Sequence, residues 1–262
     1  ALAFELRPEV SGAAFNTIVG DVFGLRPGLF EEQPDTEFFW SYDGGKYSSR
    51  LIGPVGVDNI GDLFSGLNIP KVMDSKSGSV VFDLSWQDQP WKITKENITG
   101  DFQINLQDGS FYTSTGGAGA ALKLVSLFNF ANWLKRLQLD FSDVTSQNLA
   151  YNDLVGTLRF ENGVARLLDP LRMKMPSGRM NMAGDFDLVN EQVDAQLVAT
   201  LPVATNLPWV VALLGGVPAA AGVYLTSKLV EKQVDRLSSI SYTLSGPFDD
   251  GEVSVDRIFA AE

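Results

Sequence analysis

Strict alternation of apolar and polar residues is the dominant pattern along this chain, and it predicts β-strands with two unlike faces. In the stretch ITGDFQINLQDG, one face carries Ile98, Phe102, Ile104 and Leu106, with polar residues between them. The same pattern returns in SVVFDLSW, LVGTLRFENG, RMNMAGDFDL and VDAQLVATL. The apolar positions of these stretches include Val80, Phe82, Leu84, Leu158, Phe160, Met180, Met182, Phe186, Leu188 and Leu197. Each stretch is predicted to bury one face and expose the other.

Turn signals separate the alternating stretches and predict how they connect. They are Asp43-Gly44-Gly45, Asp108-Gly109, Asn162-Gly163 and Ser177-Gly178. Asp-Gly and Asn-Gly between alternating runs are strong short-range signals for β-hairpins. With further strands in FFWSY near residue 38 and ISYTLSG near residue 240, the pattern predicts roughly a dozen or more antiparallel strands.

A weak internal repeat favours an extended sheet over a compact sandwich. The repeat is apolar-x-Gly-polar-apolar, and it is found at Ile98–Phe102, Leu154–Leu158 and Met182–Phe186. Each copy is predicted to open a strand. Regular repetition of one strand unit is typical of stacked, elongated architectures.

Two helical segments are predicted to interrupt the strands. The first covers about residues 119–138, where AALKLVSLFNFANWLKRLQL places its apolar residues on one broad face. The second covers about residues 205–237 and contains LPWVVALLGGVPAAAGVYL, part of a charge-free run from Ala195 to Ser227. A shorter helix is expected at about 57–67. We therefore divide the chain into a first part, 1–118, and a second part, 119–262, which carries both inserts.

The charge-free run is long enough to cross a bilayer, which takes about twenty apolar residues. Its prolines and the pair Gly215-Gly216 favour a bent pair of short helices instead. Three interpretations follow: a helical element against the sheet, buried or partly exposed to lipid; a membrane span; or an ordinary core element. Trp209 and Tyr224 fit interfacial anchors and core residues equally well.

Composition narrows the possible functions. The chain has 32 acidic and 20 basic residues, a formal net charge of -12, and neither cysteine nor histidine. The acidic balance argues against nucleic acid as a partner. Without imidazole or thiol, the usual serine, cysteine and metal hydrolases are excluded, and no cofactor is expected. The acidic pairs Glu31-Glu32 and Asp249-Asp250 lie in turn-like sequence, where adjacent side chains point apart, so we expect no enzymatic activity.

Three long strings carry a resemblance to a known family. They are LFNFANWLKRLQLDFSDV, LVGTLRFENGVARLLDPLRMKMPSGRMNMAGDFDL and ATLPVATNLPWVVALLGGVPAAAGVYLTSKLVEKQVDRLSSISYTLSGPFDD. Over nearly its whole length the chain resembles the C-terminal region of AsmA-like proteins of the YhdP-type branch. That resemblance implies a mainly β fold, an extended and curled antiparallel β-sheet with a groove, and the two helical inserts near its end.

The resemblance also implies a function and a location. Such proteins are similar in principle to bridge-like lipid transfer proteins and extend through the periplasm of Gram-negative bacteria from an inner-membrane anchor. The anchor would lie outside this chain, since ALAFELRPEV shows no signal peptide and we read the chain as a piece of a longer protein. The implied task is the movement of phospholipid between inner and outer membrane, which supports the outer-membrane barrier.

The alternating strands suggest where a lipid would lie. Leaving water stabilises an acyl chain of about sixteen carbons by roughly 12 kcal/mol. The apolar residues named above, together with Ile98, Phe102, Ile104 and Leu106, are therefore predicted to line a lipid-binding groove. The same face would look identical if it only packed against helices or a second sheet, and that interpretation stays open.

The helical inserts are predicted to contact a membrane. The residues concerned are Phe128, Phe130, Trp133, Trp209, Val210, Leu213 and Leu214. Our hypothesis is that they cap the groove and meet the inner leaflet of the outer membrane. One alternative is that the inserts form a lid without lipid contact. Another is that the chain is a non-catalytic interaction or structural module, with residues 1–118 binding another envelope protein.

Overall fold

The computed structural model describes residues 1–28, 35–66, 68, 71–112, 148–176, 178–200, 237–248 and 251–260. The two predicted helical inserts lie outside these residues, except for Leu237 in a strand. The predicted membrane-contact residues and the boundary at 118/119 also lie outside them.

The described residues form one antiparallel sheet of fourteen strands, which confirms the mainly β, antiparallel fold. The strands are β1 (Leu2–Glu9), β2 (Gly12–Gly20), β3 (Leu25–Pro27), β4 (Glu37–Asp43), β5 (Lys46–Val57), β6 (Met73–Asp74), β7 (Ser77–Trp86), β8 (Thr99–Tyr112), β9 (Asn148–Glu161), β10 (Val164–Met175), β11 (Gly178–Asp187), β12 (Gln192–Thr200), β13 (Leu237–Pro247) and β14 (Glu252–Ala260). Successive strands pair in the order β1-β2-β4-β5-β7-β8-β9-β10-β11-β12-β13-β14, while β3 pairs with β5 and β6 with β8. The sheet is open, with β1 and β14 as the outermost strands of this order.

The predicted short helix is present as α1 (Ile60–Gly66), directly after β5. The side chain of Asn59 caps its first turn by accepting a hydrogen bond from the Gly61 N–H at 2.8 Å. The Ser75 hydroxyl accepts another from the Ile60 N–H at 3.1 Å. Ile60 and Phe64 are buried, so the helix lays its apolar side over the adjoining part of the sheet.

The hairpin predictions succeed except in one place. Gly44-Gly45 and Asn162-Gly163 connect neighbouring strands with positive φ at both turn residues, and Met175 pairs with Gly178 at the next hairpin. Asp108-Gly109 is not a turn, because it lies inside β8 and β9 pairs with residues on both sides of it. Asp108 has a positive φ where the partner on the other edge changes from β7 to β6. A local irregularity inside a strand therefore produced the same signal as a hairpin.

The glycine repeat does not mark strand starts as predicted. Gly100 is the second residue of β8, but Gly156 and Gly184 lie well inside β9 and β11. At Gly100 the φ angle is +121°, and a Cβ atom would lie 2.0 Å from the Asp83 carbonyl oxygen. That copy of the repeat therefore marks a position where two strands approach too closely for a side chain.

The sheet has two distinct ends, which position everything that follows. At one end, the α1 end, β5 runs into α1, β8 and β12 finish, and β9 and β13 begin. The strands that flank residues 113–147 and 201–236 thus all meet at the α1 end. At the other, the turn end, lie the β4–β5, β9–β10, β11–β12 and β13–β14 turns, together with the loop 87–98.

Candidate functional site: the apolar inner face

One face of the sheet, here called the inner face, carries an unbroken transverse row of apolar or glycine residues. In strand pairing from β1 to β12 the row reads Leu6, Phe15, Phe38, Leu51, Leu84, Gly100, Phe160, Ala165, Phe186 and Val193. Opposed residues of paired strands lie on the same face, so this row crosses the strands at nearly right angles. The alternation along each strand therefore combines into one continuous apolar surface.

Exposure changes steeply along that surface. On β1, Leu2, Phe4 and Leu6 are 47%, 51% and 56% exposed. The open part of the inner face consists of these three residues and the half-buried Phe15, Phe38, Leu51, Phe82, Leu84, Phe102 and Phe160. It runs from β1 to β9, toward the turn end.

The remaining surface, the closed part of the inner face, is packed. It includes Ile104, Leu106, Met173, Met180, Met182, Phe186 and Leu197, all at most 3% exposed. These side chains belong to a single buried cluster, which also contains Ile60 and Phe64 of α1. Methionines fill several central positions, as suits an irregular interior.

Most predicted groove residues lie on the inner face, but they divide between its two parts. Buried are Val80, Ile104, Leu106, Leu158, Met180, Met182, Phe186, Leu188 and Leu197, whereas Phe82, Leu84, Ile98, Phe102 and Phe160 are half-buried. Two of them are not strand residues. Ile98 precedes β8, and its N–H donates to the Thr94 carbonyl at 3.1 Å within the loop. Leu188 follows β11 and donates its N–H to the Gly163 carbonyl at 2.8 Å.

An aromatic row crosses the open part and includes residues outside the predicted groove set. Ring centroids lie 5.2 Å apart for Phe4 and Phe15, 5.8 Å for Phe15 and Phe38, and 6.1 Å for Phe38 and Trp86. These distances fall within the favourable range for aromatic pairs. The alternation in LAFELR and FFWSY could have identified Phe4 and Phe38, because both stretches have period two.

A second aromatic cluster lies toward the turn end. Trp40 contacts Tyr47 and Trp91 at centroid distances of 6.4 and 6.5 Å, and Tyr42 contacts Tyr47 at 4.6 Å. Trp91, in the loop 87–98, is 71% exposed. The open part therefore adjoins large amphipathic rings at the turn end.

The outer face is charged, and three bidentate arginine–aspartate ion pairs link neighbouring strands on it. Arg50 binds Asp83, Arg159 binds Asp101, and Arg166 binds Asp185, each through two hydrogen bonds of 2.7–2.8 Å. The arginine hydrogen bonds lower the pKa of each aspartate below its usual range. Bidentate geometry of this kind also orients neighbouring strands.

The outer face has a shallow depression of about 450 Å³, lined by Ser85, Gly100 and the first two of these ion pairs. Both of its arginines are already neutralised by aspartates, so the depression presents no uncompensated positive charge to an anionic headgroup. The outer face is therefore a poor place for a lipid.

A polar network closes the α1 end beside β6. The Tyr112 hydroxyl donates to the Asp74 carboxylate, Lys71 lies 3.2 Å from the same carboxylate, and the Tyr151 hydroxyl donates to the Asp74 carbonyl at 2.5 Å. Burial, with the adjacent Asp74, raises the pKa of Tyr112 to about 12. Burial also raises the pKa of Tyr151, so both hydroxyls stay neutral at physiological pH, and the network links β6, β8 and β9.

Within the parts of the chain that the structure describes, no group of three or more acidic side chains could hold a metal ion. Over the same residues, no helix combines the length and apolarity needed to span a membrane.

An open antiparallel sheet with one apolar and one charged face defines the structural class of this chain. Within that class, the family model described as YhdP protein matches residues 6–253, so the chain belongs to the YhdP family and the resemblance is confirmed. The chain is 23% identical over 242 residues to a protein described as the intermembrane phospholipid transporter YhdP of Escherichia coli (strain K12). The aligned residues cover 91% of this chain. The chain spans 19% of that relative's length. No solved structure matches.

Proposed function

We propose that this chain is part of an intermembrane phospholipid transporter, and that lipid acyl chains lie on the apolar inner face. The observation that carries the proposal is the transverse row from Leu6 to Phe160, which is apolar and partly exposed across seven strands. The name of the relative in Escherichia coli supports phospholipid as the ligand. The proposal includes no catalytic step and no cofactor.

Physical chemistry favours this use of the face. Exposed apolar surface costs about 25 cal/mol per Å² in water, so residues such as Phe4 and Leu6 gain from an apolar partner. An acyl chain gains from the same contact, about 0.8 kcal/mol per methylene. The charged outer face remains in water throughout, so a lipid can travel along one side of a soluble sheet.

We place this activity in the periplasm, in a protein anchored in the inner membrane outside this chain. Transport between the inner and outer membrane would then support the outer-membrane barrier. The relative's description as an intermembrane transporter supports this location.

We further propose that residues 119–138 and 205–237 contact the inner leaflet of the outer membrane through Phe128, Phe130, Trp133, Trp209, Val210, Leu213 and Leu214. The strands that flank both segments meet at the α1 end, and this common location supports the proposal. The test is co-sedimentation with liposomes. Trp133→Asp and Trp209→Asp are expected to weaken binding, and unchanged binding by both variants would refute the contact.

Mass spectrometry of lipid that co-purifies with the intact protein tests the transport proposal. Phe82→Asp places a charge on the inner face and is expected to abolish bound phospholipid. Val81→Asp is the matched control, because the neighbouring residue lies on the outer face of the same strand and is 37% exposed. Its lipid content should equal that of the unmodified protein.

Two results would count against the proposal. Absence of phospholipid from every preparation would favour the alternative, a non-catalytic interaction or structural module of the cell envelope. Equal lipid loss in Phe82→Asp and Val81→Asp would mean that the inner face has no special part in binding. Circular dichroism of both variants establishes that the strands remain folded.

A further inference from the structure

The transverse row of the inner face crosses ten of the paired strands, and the exposure of its side chains changes along it. Leu6 is 56% exposed, and Phe15, Phe38, Leu51, Leu84 and Phe160 are half-buried. The next residue in register after Phe160 is Ala165, which is 0% exposed. Phe186 and Val193, which follow, are 2% and 3% exposed. The change therefore falls at one step of the row, between β9 and β10.

The neighbouring row changes at nearly the same place. Phe82 pairs with Phe102, Phe102 with Leu158, and Leu158 with Leu167. The first two are half-buried, while Leu158 and Leu167 are each 8% exposed. In these two rows the apolar surface is therefore accessible up to β8 and β9 and inaccessible beyond.

We propose that the lipid path ends within this chain: acyl chains occupy the open part of the inner face, and the path stops at Phe102 and Phe160. This inference rests on the proposed function. A buried side chain has already exchanged water for protein contacts, so an acyl chain gains nothing there unless the cluster opens. The closed part is then a structural core that ends the path, and β10 to β13 do not carry lipid.

The open part is large enough for an acyl chain. Six strand spacings separate β1 from β9 in the sheet order, and at about 4.8 Å each they span roughly 29 Å. One leaflet of a bilayer core is about 15 Å thick, half of the usual 30 Å. An acyl chain lying across the strands therefore fits along the row, with its terminal methyl directed toward Phe160 or toward β1.

The composition of the open part suits a mobile chain. Six of its ten residues are phenylalanines, whose rings offer apolar area without a polar group that would require a partner. At Gly100, between Leu84 and Phe160, the row has no side chain at all.

Photolabelling of the unmodified protein tests the inference without any substitution in the core. The protein is mixed with vesicles of phosphatidylethanolamine in which a small fraction of the lipid carries a diazirine in one acyl chain. After illumination, labelled residues are mapped by mass spectrometry. Labels are expected at Phe15, Phe38 and Leu84, and none at Met182 or Leu197.

The outcomes separate the inference from the function on which it rests. Labels confined to the open part support the inference. Labels on β10 to β13 overturn it while leaving the transport proposal intact, because lipid would then reach the closed part. A protein that acquires no label at all overturns both. Competition by unlabelled phosphatidylethanolamine must remove the labels, and labels that persist would show nonspecific reaction and count against the inference.

Discussion

At the scale of the residue, Gly100 shows a backbone requirement that other amino acids meet poorly. Its φ of +121° lies in a region that side chains disfavour, and a Cβ would approach the Asp83 carbonyl oxygen to 2.0 Å. Gly100→Ala is expected to lower the free energy of unfolding by about 3 kcal/mol, measured by urea denaturation. Gly44→Ala is the control, because φ there is +54° and nothing lies within 4 Å. It should cost about 1 kcal/mol, and equal losses would contradict the crowding argument.

The outer-face ion pairs give a pH dependence whose sign can be derived. Arg166 lowers the pKa of Asp185 in the folded state, chiefly through their hydrogen bonds. The pair therefore stabilises the fold above the unfolded carboxyl pKa of about 3.9, and this contribution is lost as pH falls through the folded pKa. A double-mutant cycle with Arg166→Gln and Asp185→Asn should show a small favourable coupling at neutral pH.

Thermal unfolding of the four proteins across the acid range measures that coupling. Because both side chains are substantially exposed, at 63% and 39%, the coupling should also weaken in high salt. A coupling that persists unchanged in acid would show that the two residues interact through packing instead of charge.

At the scale of the element, strands of the same sheet differ in what their inner side chains do. Met182 on β11 is 2% exposed, whereas Leu6 on β1 is 56% exposed. Met182→Ala should leave a cavity and cost about 2–5 kcal/mol. Leu6→Ala should change stability by about 0.5 kcal/mol or less, because its side chain is not part of the core. Urea denaturation measures both, and a similarly small cost for Met182→Ala would refute a packed closed part.

The same contrast shows what the sequence could predict. Alternation identified β8, β9, β11 and β12 because each has one apolar and one polar face. It could not tell an exposed apolar face from a buried one, since the period is identical in LAFELR and RMNMAGDF. Exposure depends on which elements lie above a strand, and the buried cluster joins residues from Val57 to Phe248. That information is long-range and has no local signature.

Local sequence patterns gave wrong predictions where the same pattern is compatible with two different backbone structures. Asp108-Gly109 has the composition of a hairpin turn, yet both residues lie inside β8. Ile98 continues the apolar period of β8, yet it belongs to the preceding loop because its N–H bonds to Thr94. At Asp108-Gly109 the deciding partner is β9, which is distant in sequence. At Ile98 it is Thr94, in the same loop.

At the scale of the whole molecule, two adjacent rows with opposite properties cross the sheet. Next to the apolar row, the outer face carries Asp83, Asp101, Arg159, Arg166, Asp185 and Asp194 in continuous register. Like charges oppose each other at Asp83–Asp101, Arg159–Arg166 and Asp185–Asp194, and the arginine–aspartate ion pairs offset part of that repulsion. The sheet therefore presents charged side chains to water on its outer face across the same strands whose inner-face side chains are apolar.

One contact joins distant parts of the sheet at the turn end. Lys95, in the loop between β7 and β8, lies 3.6 Å from Glu191 in the β11–β12 turn and donates to the Val189 carbonyl at 3.4 Å. Strands β9 and β10 lie between the strands that flank these two elements in the sheet order. A Cβ on Gly163, in the β9–β10 turn, would meet both Val189 and the Lys95 carbonyl oxygen. The loop 87–98 therefore crosses over the β9–β10 turn and links to the β11–β12 turn at this end of the sheet.

Lys95→Met should loosen this end without unfolding the sheet, because it removes the ammonium group and keeps the apolar stem. Amide hydrogen exchange at Ile98 and Leu188, whose N–H groups bond within the fastened region, is expected to quicken about fivefold, equivalent to about 1 kcal/mol. Amides in the middle of β10 and β11 should be unaffected. Lys92→Met is the matched control, because Lys92 pairs only locally with Asp88 at 3.8 Å among the contacts described. Equal acceleration in both variants would mean that the loop's own structure, and not its bridge to the β11–β12 turn, protects these amides.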